Sequence, residues 1–362
     1  MTASSTQATL EHGLPGLIRR HPFASFYVLA IGFPTLLFAY LIGMEVIAPN
    51  LYGPGIGAMA KFQATLADLL KSSPVFTQHR DSILVYLAVY VSVPFALPFF
   101  FFPFGPTASA LIVTGLGRGG AVVKALLCQY LPLRGDLNWR DGLRVYGVLL
   151  LSIFALVGGA LLCDSLFNAG GQRGQMVARW GLTDPSLFAA GWLMALFTNQ
   201  GGLLEELGWR GYAWPVLVRK LQKPLVAAVV LGVAWALWHS PREIVPIVTG
   251  QFNLQEFMIG QVMFIVSCIS MTIVSVAFVN YAGGSVLPAI MVHGVLNFLY
   301  QGFESGKTGL RSSFTWQPVL IWLLAALVTL LVVGRDLGWM RRMRIHGGDG
   351  STDPANQWAG RP

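Results

Sequence analysis

Long apolar runs constrain the fold of this chain more than any other feature. Runs that begin near Phe23, Val145, Phe257 and Trp316 are each long enough to cross a bilayer, which takes about 20 apolar residues in a helix. Of the 362 residues, 54% are hydrophobic and 11% are charged, against about 25% charged residues in a typical soluble protein. The sequence therefore predicts an all-α fold, a polytopic membrane helix bundle.

About eight transmembrane helices are predicted. The second contains Pro94 and Pro98, which predict a kink. The segment Thr107–Gly117 is only about half a bilayer long and favours a re-entrant or interfacial segment. The eight predicted spans are about Phe23–Ala48, Ser82–Pro103, Val145–Leu166, Ser186–Leu204, Pro224–His239, Phe257–Ala282, Ser285–Phe303 and Trp316–Gly334.

The distribution of basic residues predicts the orientation of these spans. With a cytoplasmic N-terminus, eight spans leave the most basic connections, 118–144 and 219–223, and the C-terminal arginines on the cytoplasmic side. We expect a cytoplasmic tail (1–20), a single membrane-embedded domain (21–340) and a disordered tail (341–362). Without an organelle signal, the chain is predicted to lie in a bacterial cytoplasmic membrane with both termini cytoplasmic.

The net charge of +8 is spread through the loops and forms no recognition module for nucleic acid. In a membrane protein, a basic balance of this kind is typical of cytoplasmic loops near lipid headgroups. We therefore expect the lipid bilayer as a partner, and no nucleic acid.

Two adjacent carboxylates and an arginine interrupt the apolar sequence in "GGLLEELGWRGYAW". Ionisable residues at membrane depth are costly and are therefore candidates for function. Glu206 and Arg210 are four residues apart, so on a helix they share a face and can pair. Glu205 points about 100° away from Glu206, toward another partner. A helix end solvated by lipid headgroups explains this group equally well.

Two further polar groups interrupt later spans. His239 lies at the end of a span in "AWALWHSP", and His293 and Asn297 share a helix face in "MVHGVLNF". Each also has a structural interpretation, because a histidine at a span end is usually interfacial and a polar pair can join two helices.

A turn near Gln222 relates the first two groups. Glu205 and His239 each lie 17 residues from Gln222, which is about 25 Å along an ideal helix. Antiparallel arms would bring the two side chains to the same depth. Either the arms then extend beyond the bilayer, or Gly201 and Gly202 mark a break and the site lies deeper.

Together and in this order, the three motifs resemble those of the CAAX-protease and bacteriocin-processing (CPBP) intramembrane endopeptidases, which include the prenyl-protein endopeptidases. "EELGWRG" resembles the EExxxR motif, and "HGVLN" resembles the HxxxN motif. "WALWH" resembles the motif in which an aromatic residue precedes histidine by four positions, with Trp235 where phenylalanine is commoner. The motif-bearing core covers about 186–303, and the N-terminal half is similar only in its hydrophobicity.

The resemblance implies an intramembrane endopeptidase that hydrolyses a peptide bond in a membrane-associated protein or peptide. Glu205, with His239, would activate the attacking water as a general base. His293 and Asn297 would stabilise the oxyanion, an effect that a low dielectric strengthens. These four residues are the predicted catalytic set.

The resemblance gives Glu206 and Arg210 a supporting role, in which they hold the first motif in shape. It also leaves a metal-dependent version open. Glu205, His239 and His293 form a possible set of ligands for a divalent metal such as zinc, with one position left for water. Because the chain has no HExxH motif and the three residues lie on separate helices, we favour glutamate-activated water without a required cofactor.

Two other classes of function remain as alternatives. A non-catalytic membrane scaffold or immunity-type protein of the same family would keep the motifs for folding. An ion-coupled transporter would use the Glu, His and Arg residues as a relay. The absence of a convincing internal repeat counts against a transporter built from two halves.

Overall fold

A computed structural model describes residues 13–78, 80–94, 98–135, 137–167, 173–242, 254–302 and 316–346. All regular elements in these ranges are helices, which confirms the predicted fold class. In chain order they are α1 Leu14–Arg20, α2 Pro22–Ile47, α3 Ala58–Ser72, α4 Pro74–Gln78, α5 Ile83–Ser92, α6 Pro98–Arg118, α7 Gly120–Leu127, a 3₁₀ turn Cys128–Tyr130, α8 Trp139–Phe167, α9 Arg173–Arg179, α10 Pro185–Phe197, α11 Gln200–Glu206, a π-helical segment Leu207–Ala213, α12 Trp214–Leu221, α13 Pro224–Trp238, α14 Leu254–Tyr281, α15 Leu287–Gly302, α16 Trp316–Val333 and α17 Trp339–Ile345.

Within the described ranges, five helices are long and apolar enough to cross a membrane. They coincide with five of the predicted spans, and their outer faces expose apolar side chains such as Leu151 on α8 and Leu331 on α16. Helices that stay apolar on their exposed face are typical of a lipid-facing bundle, so the chain is a multi-pass membrane protein. The five are Pro22–Ile47, Trp139–Phe167, Pro224–Arg242, Phe257–Tyr281 and Trp316–Val333.

The other three predicted spans correspond to shorter apolar helices, so a count of eight spans is not confirmed. These helices are Ile83–Ser92, Pro185–Phe197 and Leu287–Leu299.

The predicted bounds of the second span, 82–103, are wrong. Helix α5 ends at Ser92, and α6 begins at Pro98. Proline lacks a backbone N–H and suits the first turn of a helix, so this proline-rich stretch separates two helices instead of kinking one. The segment 107–117, predicted to be re-entrant or interfacial, is the C-terminal half of α6.

The fourth predicted span is also two helices, because the chain leaves the helical path at Thr198 and Asn199. Asn199 is the N-cap of α11, and its side-chain oxygen accepts a hydrogen bond of 2.8 Å from the N–H of Gly202. The break therefore lies just before Gly201 and Gly202, the pair at which the sequence predicted a possible break.

Residues 81–83 pair with the backbone at this break. The N–H of Ile83 donates to the carbonyl of Thr198 at 2.7 Å, and the N–H of Gln200 donates to the carbonyl of Asp81 at 2.8 Å. Within a membrane protein, non-helical backbone is stable only where the protein itself satisfies its polar groups. The short α5 region thus supports the interruption that positions α11.

The predicted hairpin is present, with its turn at Gln222. Helix α11, the π-helical segment and α12 follow one another without interruption and end where Gln222 adopts a left-handed conformation (φ 54°). Helix α13 starts at Pro224 and runs back along the first arm. Gly208 in the π-helical segment contacts the backbone of Pro106 so closely that a side chain would overlap it. This glycine lets the arm pack directly on α6.

Helical structure extends further toward both ends than expected. Helix α1 occupies part of the predicted tail 1–20, and α17 continues past residue 341. Arg342 in α17 is 1% exposed, because it packs over the ring of Trp339. Residues 1–12 and 347–362, the remaining parts of the two predicted tails, lie outside the described residues.

Close packing between α13 and α14 gives a test of this arrangement. A β-carbon on Gly232 would lie 2.5 Å from the Cα of Ile269, whereas one on Gly158 would meet no atom within 4 Å. Gly232→Ala should lower the stability by roughly 1–3 kcal/mol through overpacking, and Gly158→Ala should change it by less than about 1 kcal/mol. Thermal unfolding of the purified protein measures both. Equal effects of the two substitutions would contradict the described contact.

Candidate active site

Glu206 is the centre of a buried polar network. Its Oε1 accepts a hydrogen bond of 2.9 Å from Nη1 of Arg210, and both side chains are 0% exposed. The same oxygen lies 2.7 Å from Nδ1 of His293 on α15. Nη2 of Arg210 donates to Oγ1 of Thr272 on α14 at 2.9 Å. Glu206 and Arg210 pair with the predicted spacing. The contact between Glu206 and His293 joins the first and third motifs, and no local spacing indicated this link.

Trp235 connects Glu205 to the second motif. Its indole N–H donates to Oε2 of Glu205 at 2.8 Å, and the guanidinium of Arg210 lies over its ring, 4.4 Å from the centroid. In the sequence, Trp235 is notable only as a departure from phenylalanine. An indole carries an N–H donor that a phenyl ring lacks, so the sequence did contain a signal for this hydrogen bond. Glu205 therefore has the second partner that its direction on the helix predicted.

His239 lies on the same arm as Trp235, one turn further along. Its Nδ1 lies 2.9 Å from the carbonyl oxygen of Trp235, an acceptor, so Nδ1 carries the proton. The imidazole packs edge-on against Phe264 and Trp238, with ring centroids 4.9 and 4.7 Å apart. Trp235 thus contacts Glu205 through its indole and His239 through its backbone, and the hairpin brings all three together.

Gly201 lets the side chains of Glu205 and His293 approach the backbone of α11 closely. An atom in the position of a β-carbon on Gly201 would lie 2.7 Å from Nε2 of His293 and 3.2 Å from Oε1 of Glu205. Nε2 is the imidazole nitrogen opposite the contact with Glu206, and Oε1 is the carboxylate oxygen opposite the contact with Trp235. A side chain at position 201 would overlap the imidazole, so glycine allows both functional atoms to lie close to one point beside the α11 backbone.

Asn297 lies one turn after His293 but contacts a residue that the sequence analysis missed. Its amide donates to Oδ1 of Asn199 at 3.3 Å, and Asn199 is 3% exposed. Asn199 was overlooked because the fourth span was read as continuous there, although asparagine before a helix is a common N-cap. Gly294 lies between the two motif residues and touches the carbonyl of Ala195, which holds α15 against α10.

The possible zinc ligands do not form a metal site in this arrangement. In the described part of the chain, no three His, Cys, Asp or Glu side chains converge as a ligand group. Glu205, His239 and His293 are instead fixed by Trp235 and Glu206. The chemistry derived below therefore uses no metal.

The fold and site together define a polytopic helical membrane protein with a buried cluster of glutamates, histidines and an arginine. Residues 185–299 match the family described as type II CAAX prenyl endopeptidase Rce1-like. All three motifs lie in this segment, so the resemblance predicted from them is confirmed for residues 185–299. No curated protein matches the chain.

The contacts of the two glutamates predict different effects on stability. Glu206→Gln should destabilise the protein by roughly 3–5 kcal/mol, because it leaves the buried charge of Arg210 without its counter-ion. Glu205→Gln keeps a side-chain oxygen that can accept from Trp235 and should be tolerated better. Thermal unfolding and the yield of monodisperse protein compare the two. The network is contradicted if Glu205→Gln is as destabilising as Glu206→Gln.

Proposed function

We propose that this protein is an intramembrane endopeptidase that hydrolyses a peptide bond in a membrane-associated protein or peptide. The single observation that carries the proposal is the proximity of Oε1 of Glu205 and Nε2 of His293, which lie 3.2 and 2.7 Å from one point beside Gly201. A potential base and a potential oxyanion donor close to each other are what the addition of water to a carbonyl requires. The match to a family of endopeptidases supports this reading.

In the proposed reaction, Glu205 is the general base. A water molecule beside Oε1 gives a proton to the carboxylate while its oxygen forms a bond to the substrate carbonyl carbon. The indole of Trp235 holds Oε2 and keeps Oε1 directed at the water. As the C–N bond breaks, the same proton passes from Glu205 to the departing amine nitrogen.

His293 is the proposed oxyanion donor. Glu206 accepts from Nδ1, and the protonated Nε2 then donates to the negative oxygen that develops on the substrate.

His239 and Asn297 complete the proposed site. His239 contacts the backbone of Trp235, and we propose that it orients the turn that carries the indole and contributes to water activation there. Asn297 holds a long hydrogen bond of 3.3 Å to Asn199. Catalytic hydrogen bonds are often long before substrate binds, and a substrate oxygen would replace Asn199 as the acceptor.

The substrate class follows from the position of the site. Glu205 and His293 are 4% and 3% exposed and lie among apolar helices, so a substrate reaches them most easily from the lipid or its interface. We propose a membrane-anchored protein or a peptide with an apolar tail. The basic connections support a bacterial inner-membrane orientation with both termini in the cytoplasm.

Substitution of the proposed base tests this function directly. Glu205→Gln should reduce cleavage by about 100-fold or more, the range of general acid–base catalysis, while the protein remains folded. The measurement compares peptide termini in the membrane proteomes of cells that contain the wild type or the variant at matched levels. Glu45→Gln, the same chemical change in α2, is the matched control and should keep all wild-type termini.

Two outcomes would contradict the proposal. If no termini depend on Glu205 and a cellular phenotype persists in the variant, the protein acts as a scaffold. If cleavage by purified protein is lost on treatment with a chelator and restored by zinc, the water is activated by a metal.

Substitution of Trp235 distinguishes a residue that positions Glu205 from one that only packs in the core. Trp235→Phe keeps an aromatic ring but removes the N–H that donates to Glu205, and a hydrogen bond to a charged group contributes roughly 1.5–3 kcal/mol. We expect kcat of the folded variant to fall about tenfold or more at an unchanged KM, together with a lower unfolding temperature. A lower unfolding temperature with an unchanged kcat in the folded fraction would instead assign Trp235 a purely structural role.

A further inference from the structure

A small polar cavity lies away from Gly201. It is partly open and is lined by α1, the start of α2, α6 and the π-helical segment. Arg19 and Arg118, which are far apart in the sequence, both line it, together with Thr114 and Tyr212. Arg19 lies just before the first membrane-spanning helix and Arg118 is the last residue of α6, so the cavity is at one end of the bundle.

Arg19 is held in place beside this cavity. Its Nε donates a hydrogen bond of 2.7 Å to the carbonyl oxygen of Gly117. Gly117 itself lets α1 approach α6, since a β-carbon there would lie 3.0 Å from Cγ2 of Ile18. The guanidinium of Arg19 is thereby fixed near that of Arg118, and its two terminal amino groups remain available.

The charges in this cavity are not compensated within the described residues. Neither Arg19 nor Arg118 forms an ion pair with a carboxylate in the described ranges. Two partly buried cations side by side repel each other unless an anion lies between them. The hydroxyl of Thr114, 1% exposed, has no hydrogen-bond partner among the described residues. Two guanidinium groups and a buried hydroxyl thus offer donors without an acceptor.

We propose that this cavity binds a phosphate group, and that an anionic phospholipid is its source. Guanidinium groups bind phosphate oxygens in pairs, and the two guanidinium groups line a cavity that is partly open, where a phosphate oxygen can reach them. Leu14 and Leu17 on α1 are 58% and 49% exposed, so apolar side chains for the acyl chains lie on the helix that carries Arg19. Basic pockets between helices at a membrane face recognise lipid headgroups in this way.

The test measures lipid binding to the purified full-length protein by native mass spectrometry. Phosphatidylglycerol, which is anionic, is titrated against phosphatidylcholine, whose choline group cancels the phosphate charge. Arg118→Gln removes one cation but leaves the bond between Arg19 and Gly117. It should weaken phosphatidylglycerol binding about fivefold, from roughly 1 kcal/mol for each arginine near a membrane surface.

Arg20→Gln is the matched control, because Arg20 is the exposed neighbour of Arg19 on the same helix. It should leave the affinity for phosphatidylglycerol unchanged. Arg118→Lys keeps the charge without the planar fork and should give an intermediate affinity, which preserves the test if Arg118→Gln folds poorly.

Inorganic phosphate distinguishes the two sources of the anion. If free phosphate fails to compete with phosphatidylglycerol, a lipid occupies the cavity, as proposed. If free phosphate alone competes fully and Arg118→Gln abolishes that competition, the phosphate site stands but its ligand is soluble, and the lipid assignment is overturned. Equal affinity for both lipids in the wild type, or equal loss in Arg20→Gln and Arg118→Gln, would overturn the site altogether.

Discussion

The structure around the site depends on one buried carboxylate. Glu206 accepts hydrogen bonds from Arg210 on its own arm and from His293 on α15, and Arg210 continues to Thr272 on α14. An uncompensated charge in this apolar interior would be unfavourable by several kcal/mol. The two arms of the hairpin must therefore pack against α14 and α15 so that all these contacts form at once. The catalytic geometry proposed for Glu205 is a consequence of this packing, because the residue next to Glu206 is directed toward Trp235.

Irregular backbone gives the site its shape. The break at Asn199 starts α11 at a point where Gly201 faces His293, and the pairing with residues 81–83 satisfies the backbone there. The π-helical segment follows directly, and such segments often occur at functional sites. Tyr212 of this segment lines the cavity of Arg19, so the two polar sites of the molecule share one irregular element.

Several elements were predictable because their signals are local. The five long spans followed from uninterrupted apolar runs, and the turn at Gln222 from the short polar stretch between two such runs. The second and fourth spans were misjudged for a common reason. Hydropathy averaged over the length of a span does not register a break of one or two residues, such as those at Pro94 and Asn199. At Asn199 the tertiary structure supplies the backbone partners that make the break stable.

By itself, the sequence determined the membrane class, the three motifs and the pairing of Glu206 with Arg210, because a spacing of four residues sets a shared helix face wherever the helix lies. Only the tertiary structure decided that His293 meets Glu206, that Trp235 donates to Glu205, and that Arg19 and Arg118 line one cavity. These partners are far apart in the chain. Their contacts arise from the packing of separate helices, and local spacing carries no information about which faces of two helices will meet.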